Sequence, residues 1–297
     1  MKKTFLFLIV ALSFLLSGQA AEKAKHVVLI GLDGWGAYSV SKAEIPNIRK
    51  MMNEGCYTLK KRSALPSSSA INWASMFMGA GPELHGYTQW GSKVPELPSR
   101  EVTENGIFPT IFYLLHKARP EAEIGCLYEW EGIKYLADTL ALDYHAQAPD
   151  YNKHPEALCG MAEKYIKEKT PVLLAVCFDN PDHVGHAAGH DTPEYYAKLN
   201  ELDTYVARIV QAVKDAGMFD NTIFIITADH GGINKGHGGK TMQEMETPFI
   251  ICGKNVKKGG EFSESMMQYD VASTIAYIFG LKQPQVWIGR PMKQVFK

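Results

Sequence analysis

The chain has 297 residues, enough for one large α/β domain or two small ones. Hydrophobic residues make up 46% and charged residues 21%, an ordinary globular composition that excludes disorder, collagen and coiled coil. Lys and Arg total 31 against 32 Asp and Glu, so the net charge of −1 supplies no overall attraction to a nucleic-acid polymer or an anionic membrane. The five Cys form no C-x-x-C pair, which argues against a disulfide framework and against a thiolate metal site.

Lys2 and Lys3 precede an uncharged apolar run from Thr4 to Leu16, followed by the small residues Gly18 and Ala20. This is the pattern of a secretory signal peptide. Residues 1–20 are therefore expected to be cleaved and the protein exported, to a bacterial periplasm or beyond. The run is shorter than the ~20 residues of a spanning helix. The first Cys is Cys56, too late for lipid attachment at the cleavage point, so no stable membrane anchor is expected.

Residues 21–297 read as one domain. His26 to Leu32 is a continuous apolar run, as expected for a strand buried on both faces. Pro46 to Glu54 has a helix pattern with Pro at its start and Gly55 past its end, and Pro109 to Lys117 repeats it. A strand is expected at Ile124–Tyr128, a helix at Glu156–Lys169 and a second buried strand at Val172–Phe178. Helical periodicity runs from Pro193 to Ala216. Buried strands follow at Thr222–Thr227 and Pro248–Cys252, then a helix at Ala272–Phe279. Strands alternating with helices predict an α/β fold with a mostly parallel central sheet and helices on both faces. The Pro-rich stretch from Gly79 to Gly106 is the expected place for substrate-facing loops.

Three of the buried strands run into aspartates: Asp33, the Asp179 to His186 segment, and Asp229-His230. Ligands of open parallel sheets bind beyond the carboxyl ends of the strands, so these residues should converge. One Asp after a strand is ordinarily a turn or helix cap. Three at matching ends, two of them with His, point to a metal centre, and Asp with His and no Cys suits Zn2+ better than manganese or iron. Asp182 and His186, four apart, share a face on a helical turn. Two ions with about three protein ligands each need about six. Asp33, Asp182, His186, Asp229 and His230 make five. By elimination the sixth is His237, the last His in the chain; the alternatives, His183 and His190, are read as facing substrate or backing the ligands.

Ser67, Ser68 and Ser69 stand between a strand and a helix. A serine there is usually a helix cap; beside a metal it becomes a candidate nucleophile, with Asn72 and the helix amides as anion donors. Spacing does not choose among the three serines. Tyr87, Trp90 and Trp130 are candidate cleft aromatics, although core packing is the commoner role, and Lys240 is a candidate phosphate partner.

In combination, the motifs GLDG from Gly31, PSSSAINWASMFMG from Pro66, PELHG from Pro82, PDHVGHAAG from Pro181 and ADHGG from Ala228 resemble the alkaline phosphatase superfamily. Within it, the chain is similar to the type I phosphodiesterase/nucleotide pyrophosphatase branch and its small bacterial members. The resemblance implies an alkaline phosphatase-like three-layer sandwich and hydrolysis of a small-molecule phosphate ester by two divalent ions. It places the nucleophile at Ser69, a metal ligand once ionised, and a phosphate-contacting Asn at Asn72. It assigns Asp33, Asp229 and His230 to the ion that holds Ser69, and Asp182, His186 and a third His to the other. Members of that branch usually carry their last His much farther along the chain, a departure here that leaves His237 for the role. A phosphoseryl intermediate follows. A phosphomonoesterase of the same superfamily, a sulfatase-like hydrolase and a catalytically inactive ligand-binding protein are the competing readings. The segment Ser69-Ala70-Ile71-Asn72-Trp73 lacks the C/S-x-P-x-R pattern that the sulfatases require.

Overall fold

The structure is a computed structural model and describes residues 22–297; the expected export segment lies outside the described residues. Its strands are β1 (His26–Leu32), β2 (Cys56–Arg62), β3 (Ile124–Tyr128), β4 (Tyr144–Gln147), β5 (Leu173–Phe178), β6 (Thr222–Thr227), β7 (Glu246–Gly253) and β8 (Gly260–Glu261). The helices are α1 (Pro46–Glu54), α2 (Ser69–Met78), α3 (Pro82–His85), α4 (Ile111–Ala118), α5 (Ala157–Lys169), α6 (Asp182–Ala188), α7 (Pro193–Asp215), α8 (Met242–Met245) and α9 (Asp270–Ile278). No helix among the described residues is long and apolar enough to cross a membrane.

The strands form one sheet in the order β4-β3-β5-β1-β6-β7-β2-β8. It is parallel except at β7, which runs antiparallel to both β6 and β2. The continuous apolar runs have a direct cause. Along β1, Val27 and Leu29 face one core while Val28, Ile30 and Leu32 face the other, and β5 and β6 alternate in the same way. One core packs the sheet against α2, α4 and α9 through Trp73, Phe77, Phe112 and Ile275. The other packs it against α1, α5 and α7 through Ile48, Ile166, Val206 and Ile209. This is the three-layer α/β sandwich the sequence predicts.

Helix starts follow local chemistry. Pro46 and Pro193 stand in the first turns of α1 and α7, and Thr110 and Thr192 accept hydrogen bonds from Tyr113 N and Tyr195 N as N-caps. The edge strands β4 and β8 had no sequence signal. β4 is four residues long and mostly exposed, and β8 has only two residues. A strand short and wet on both faces carries no apolar period to read.

At one point the core reaches directly into the site. Gly31 near the end of β1 is covered by the indole of Trp73, and a Cβ there would lie 2.2 Å from the ring. The same indole donates Nε1–H to Asp33 Oδ2 at 3.0 Å. Gly31→Ala is therefore expected to push Trp73 aside, at a cost of about 1–3 kcal/mol, and to weaken metal binding together with stability. Urea unfolding and metal titration of this variant check both effects; unchanged values for both would contradict the coupling.

Candidate metal centre

β5, β1 and β6 are neighbours in register, with Leu32 opposite Phe178 and Gly31 opposite Thr227. Their carboxyl ends therefore deliver Asp33, Asp182 and Asp229 to one place. The chain turns sharply there. Gly34 has a φ of +69°, and a Cβ on it would meet Asp182 Cβ at 2.5 Å. Gly34 N and His230 N both donate to Asp229 Oδ1, at 3.1 and 2.8 Å. Asp182 N donates to Asp33 O at 3.0 Å. Tyr195 braces the turn by donating to Gly34 O and accepting from Gly36 N.

Each candidate histidine is oriented by a carbonyl. His230 Nδ1 lies 2.8 Å from Gly231 O, His186 Nδ1 2.9 Å from Lys235 O, and His237 Nδ1 3.2 Å from Ser67 O. A carbonyl only accepts, so each Nδ1 carries a proton and is committed to the backbone, which leaves each Nε2 turned into the cluster as the atom available to a ligand. Asp182 Oδ2 is 2.9 Å from His186 Nε2 and 3.7 Å from His237 Nε2. His230 Nε2 is 3.4 Å from Asp33 Oδ1 and 3.3 Å from Asp229 Oδ2. Two groups have ligand atoms all within 4.8 Å of one another: Asp33, Asp182 and His230, and Asp182, His186 and His237. Asp182 belongs to both, whereas the resemblance gives it to one ion only. Asp229 stands beside the first group through its Oδ2.

The electrostatics of this cluster fit a divalent cation. Burial, with repulsion from Asp229 and Asp182, raises Asp33 well above the usual carboxylate range. Burial, with repulsion from Asp182, pushes Asp229 up to about 7. Burial works in the same direction on Asp182, but hydrogen bonds from His186 and His190 outweigh it and hold that group well below the usual range. Burial and neighbouring His230 lower His237 to about 4, while the bond to Asp182 raises the more open His186 to about 9. Asp33 Oδ1 and Asp229 Oδ2 are buried without a hydrogen-bond partner. Bare carboxylate oxygens beside imidazole nitrogens turned into the same space are the donor set a zinc-like ion takes.

The three serines diverge. Ser69, first residue of α2, has its Oγ 3.1 Å from His230 Nε2. Ser67 Oγ donates to Gly239 O at 2.7 Å and accepts from Gly238 N, tying down the loop that carries His237. Ser68 Oγ lies 3.4 Å from His237 Nδ1. Asn72 makes its contacts with the backbone. It is fully buried, with Oδ1 accepting from Ala64 N and Nδ2 donating to the carbonyls of Ala64, Pro66 and Ser68. With its amide engaged on the backbone, Asn72 shapes the Ala64–Ser68 loop that leads into Ser69.

His190 backs the ligands: its Nε2 is 3.1 Å from Asp182 Oδ1. His183 contacts Tyr151 Oη at 3.0 Å. Tyr87 is core, with its hydroxyl on Tyr135 O, so it does not line a cleft. Trp90 is 60% exposed, 6.5 Å from Trp130 between ring centres, and its carbonyl accepts from Ala70 N beside Ser69. Sequence reading missed Trp73, Gly34 and Tyr195 as supports of the site; only the Gly of GLDG marked the turn.

Zinc added to metal-free protein is expected to raise Tm, since an ion at about 100 times its Kd adds about 2.7 kcal/mol. Elemental analysis should show a second ion weakened by His237→Ala while the Asp33 side keeps its own. An unmoved Tm, or an unaffected second ion, would contradict the assignment.

Residues 27–242 match the profile of the type I phosphodiesterase / nucleotide pyrophosphatase family. GPI ethanolamine phosphate transferase 3 of Schizosaccharomyces pombe is 28% identical over 169 residues, 54% of this chain and 18% of its own. Mouse ectonucleotide pyrophosphatase/phosphodiesterase family member 1 is 24% identical over 225 residues, 71% of this chain and 24% of its own. Mouse bis(5'-adenosyl)-triphosphatase is 23% identical over 222 residues, 71% of this chain and 48% of its own. The chain thus spans less than half the length of each of these relatives. Among solved structures, murine ectonucleotide pyrophosphatase/phosphodiesterase 5 in complex with AMP superposes with a TM-score of 0.72 at 13% identity, covering 92% of this chain and 100% of that one. A 2-O GAG sulfatase gives 0.72 at 15% identity, covering 92% and 74%. The structures share the fold, and the profile match covers most of the sequence: the chain belongs to the type I phosphodiesterase / nucleotide pyrophosphatase family.

Proposed function

We propose that the chain is an exported two-metal phosphate-ester hydrolase that acts through Ser69 and prefers diester or pyrophosphate bonds to monoesters. The observation that carries this reading is the seat of Ser69: its Oγ lies 3.1 Å from His230 Nε2, beside two ligand groups that share Asp182. Asp33, Asp229 and His230 would hold one ion and Asp182, His186 and His237 the other. Bound zinc supplies positive charge that favours the ionised serine and offsets charge on the phosphate.

The residues of the chain do the rest. Ser69 Oγ forms the new P–O bond in line with the departing oxygen, and water then breaks the phosphoseryl ester and restores the serine. The Ser69 N–H, at the start of α2, has no acceptor among the described residues and points to an anion-binding role for a non-bridging oxygen. With Asn72 engaged elsewhere, this amide carries that contact.

The preference follows from charge. The phosphoryl group of a monoester carries two negative charges and that of a diester one, and monoesterases tend to add a cation such as Arg for the second. Arg62 at the end of β2 is turned to Glu246 on β7, 3.8 Å away. Lys240 is exposed on the loop beyond His237.

Ser69→Ala is expected to lower kcat by about 10³-fold or more with little change in Tm. Ser68→Ala should be far milder. Ser67→Ala should lose about 1 kcal/mol of stability by freeing the Gly238–Gly239 turn. The reverse ranking in activity would move the nucleophile. The ratio of kcat/KM for bis-nitrophenyl phosphate and nitrophenyl phosphate, at one pH and metal loading, is expected to favour the diester. A preference for the monoester would overturn that part of the reading.

A further inference from the structure

A second concavity lies at the other end of the sheet. An open cavity of about 630 Å³ is bounded by α1, the C-terminal half of α7, the segment entering β6 and the segment leaving β7. Ile223 at the start of β6 pairs with Gly253 at the end of β7, whereas Asp229 follows the far end of β6. The length of a six-residue strand, ~20 Å, thus separates the cavity from the carboxylates. Its volume falls in the range of small-molecule sites.

Its lining has two parts. Val210 and the half-exposed Phe219 supply its apolar surface, with the buried Met51, Phe224 and Val256 packed behind them, the Phe219 ring 6.0 Å from that of Phe224. Around this surface stand Lys50, Lys214, Lys254, Lys258 and Lys297, against only two carboxylate side chains, Glu54 and Asp220. The ion pairs that lysines form among the described residues involve other lysines, and none of these five ammonium groups has a carboxylate within 4.0 Å. The amides are already engaged: Asn47 donates to Asp203, Asn255 to Lys23 O and Gln211 to Asp215. Lys214 Nζ lies 4.9 Å from the centre of the Phe219 ring, so cation and aromatic surface stand side by side at the mouth of the cavity; the donors left for a ligand are cationic, and the surface left for it is apolar.

We propose that this cavity binds a small amphipathic anion, its tail against Phe219 and Val210 and its acidic head among the lysines. The two demands select against neutral amphiphiles, which leave the ammonium groups unmatched, and against small inorganic anions, which leave the apolar surface wet. The site is independent of the metal centre and of the proposed hydrolase reaction.

The test is calorimetric titration of the intact protein with decanesulfonate below its micelle concentration, in excess inorganic phosphate to cover the catalytic end. One equivalent should bind. Decyl maltoside should bind at least tenfold more weakly. The pair Lys214→Glu with Lys254→Glu should weaken decanesulfonate at least tenfold, and Val210→Trp, which fills the cavity, should abolish binding. Circular dichroism melting verifies that each variant is folded, and Lys50→Glu with Lys258→Glu is the second charge-reversed pair should the first not fold. Equal binding by the charge-reversed or filled variants, or by the neutral amphiphile, overturns the proposal. So does binding to phosphatidylglycerol vesicles without binding of monomeric decanesulfonate.

Discussion

Three buried carboxylates, Asp33, Asp182 and Asp229, meet at the carboxyl ends of three adjacent strands, and the surroundings are arranged around that repulsion. Like charges in a poorly solvated space raise one another's energy by several kcal/mol unless protons, cations or hydrogen bonds compensate. The protein compensates selectively. Trp73 satisfies one oxygen of Asp33, two backbone amides satisfy one oxygen of Asp229, and His186 and His190 flank Asp182. The remaining oxygens of Asp33 and Asp229 are left bare. A fold that only needed stability would have satisfied or removed them; a metal centre needs them unsatisfied.

The supports of this cluster are parts of the core. α2 buries Trp73 and Phe77 against the sheet and, by the same placement, sets Ser69 at its first position over His230. Asn72, one turn in, ties down the loop that precedes Ser69, so the helix and its entry move together. Lys61, the one buried lysine among the described residues, donates to Ala228 O just before Asp229 and to the side chain of Gln268. Burial lowers it to about 7. Gln268 in turn donates to Asn72 O, so β2, α2 and the segment after β6 are joined behind the candidate ligands by one buried polar chain. Such a chain is worth having only if complete, because each member left unpaired would be costly.

Much of this was legible in the residues. His26–Leu32, Pro46–Glu54, Ile124–Tyr128 and Thr222–Thr227 coincide with elements of the structure, because unbroken apolar runs and Pro or Gly at the ends are local signals. The Asp residues after β1, β5 and β6 were legible for the same reason: a polar residue ending an apolar run is visible without knowing its partners. β2 was harder. Its sequence CYTLKKR has neither alternation nor an apolar run, since Lys61 is buried for a hydrogen bond and not for hydrophobicity. The direction of β7 was not legible either, because hydropathy shows that a strand is buried but not which way it runs.

The sequence by itself determined the fold class and which Asp and His follow the buried strands, since burial periodicity and the chemistry of Asp and His are properties of single residues and their near neighbours. Tertiary structure alone decided how those residues share the work. It turned Asn72 onto the backbone, separated Ser69 from Ser67 and Ser68, placed Asp182 between two ligand groups and brought His237 back over the site through Ser67. Each of those outcomes depends on which donor reaches which acceptor across a separation of many residues, and that is set by the packing of the sheet and helices, not by any local pattern.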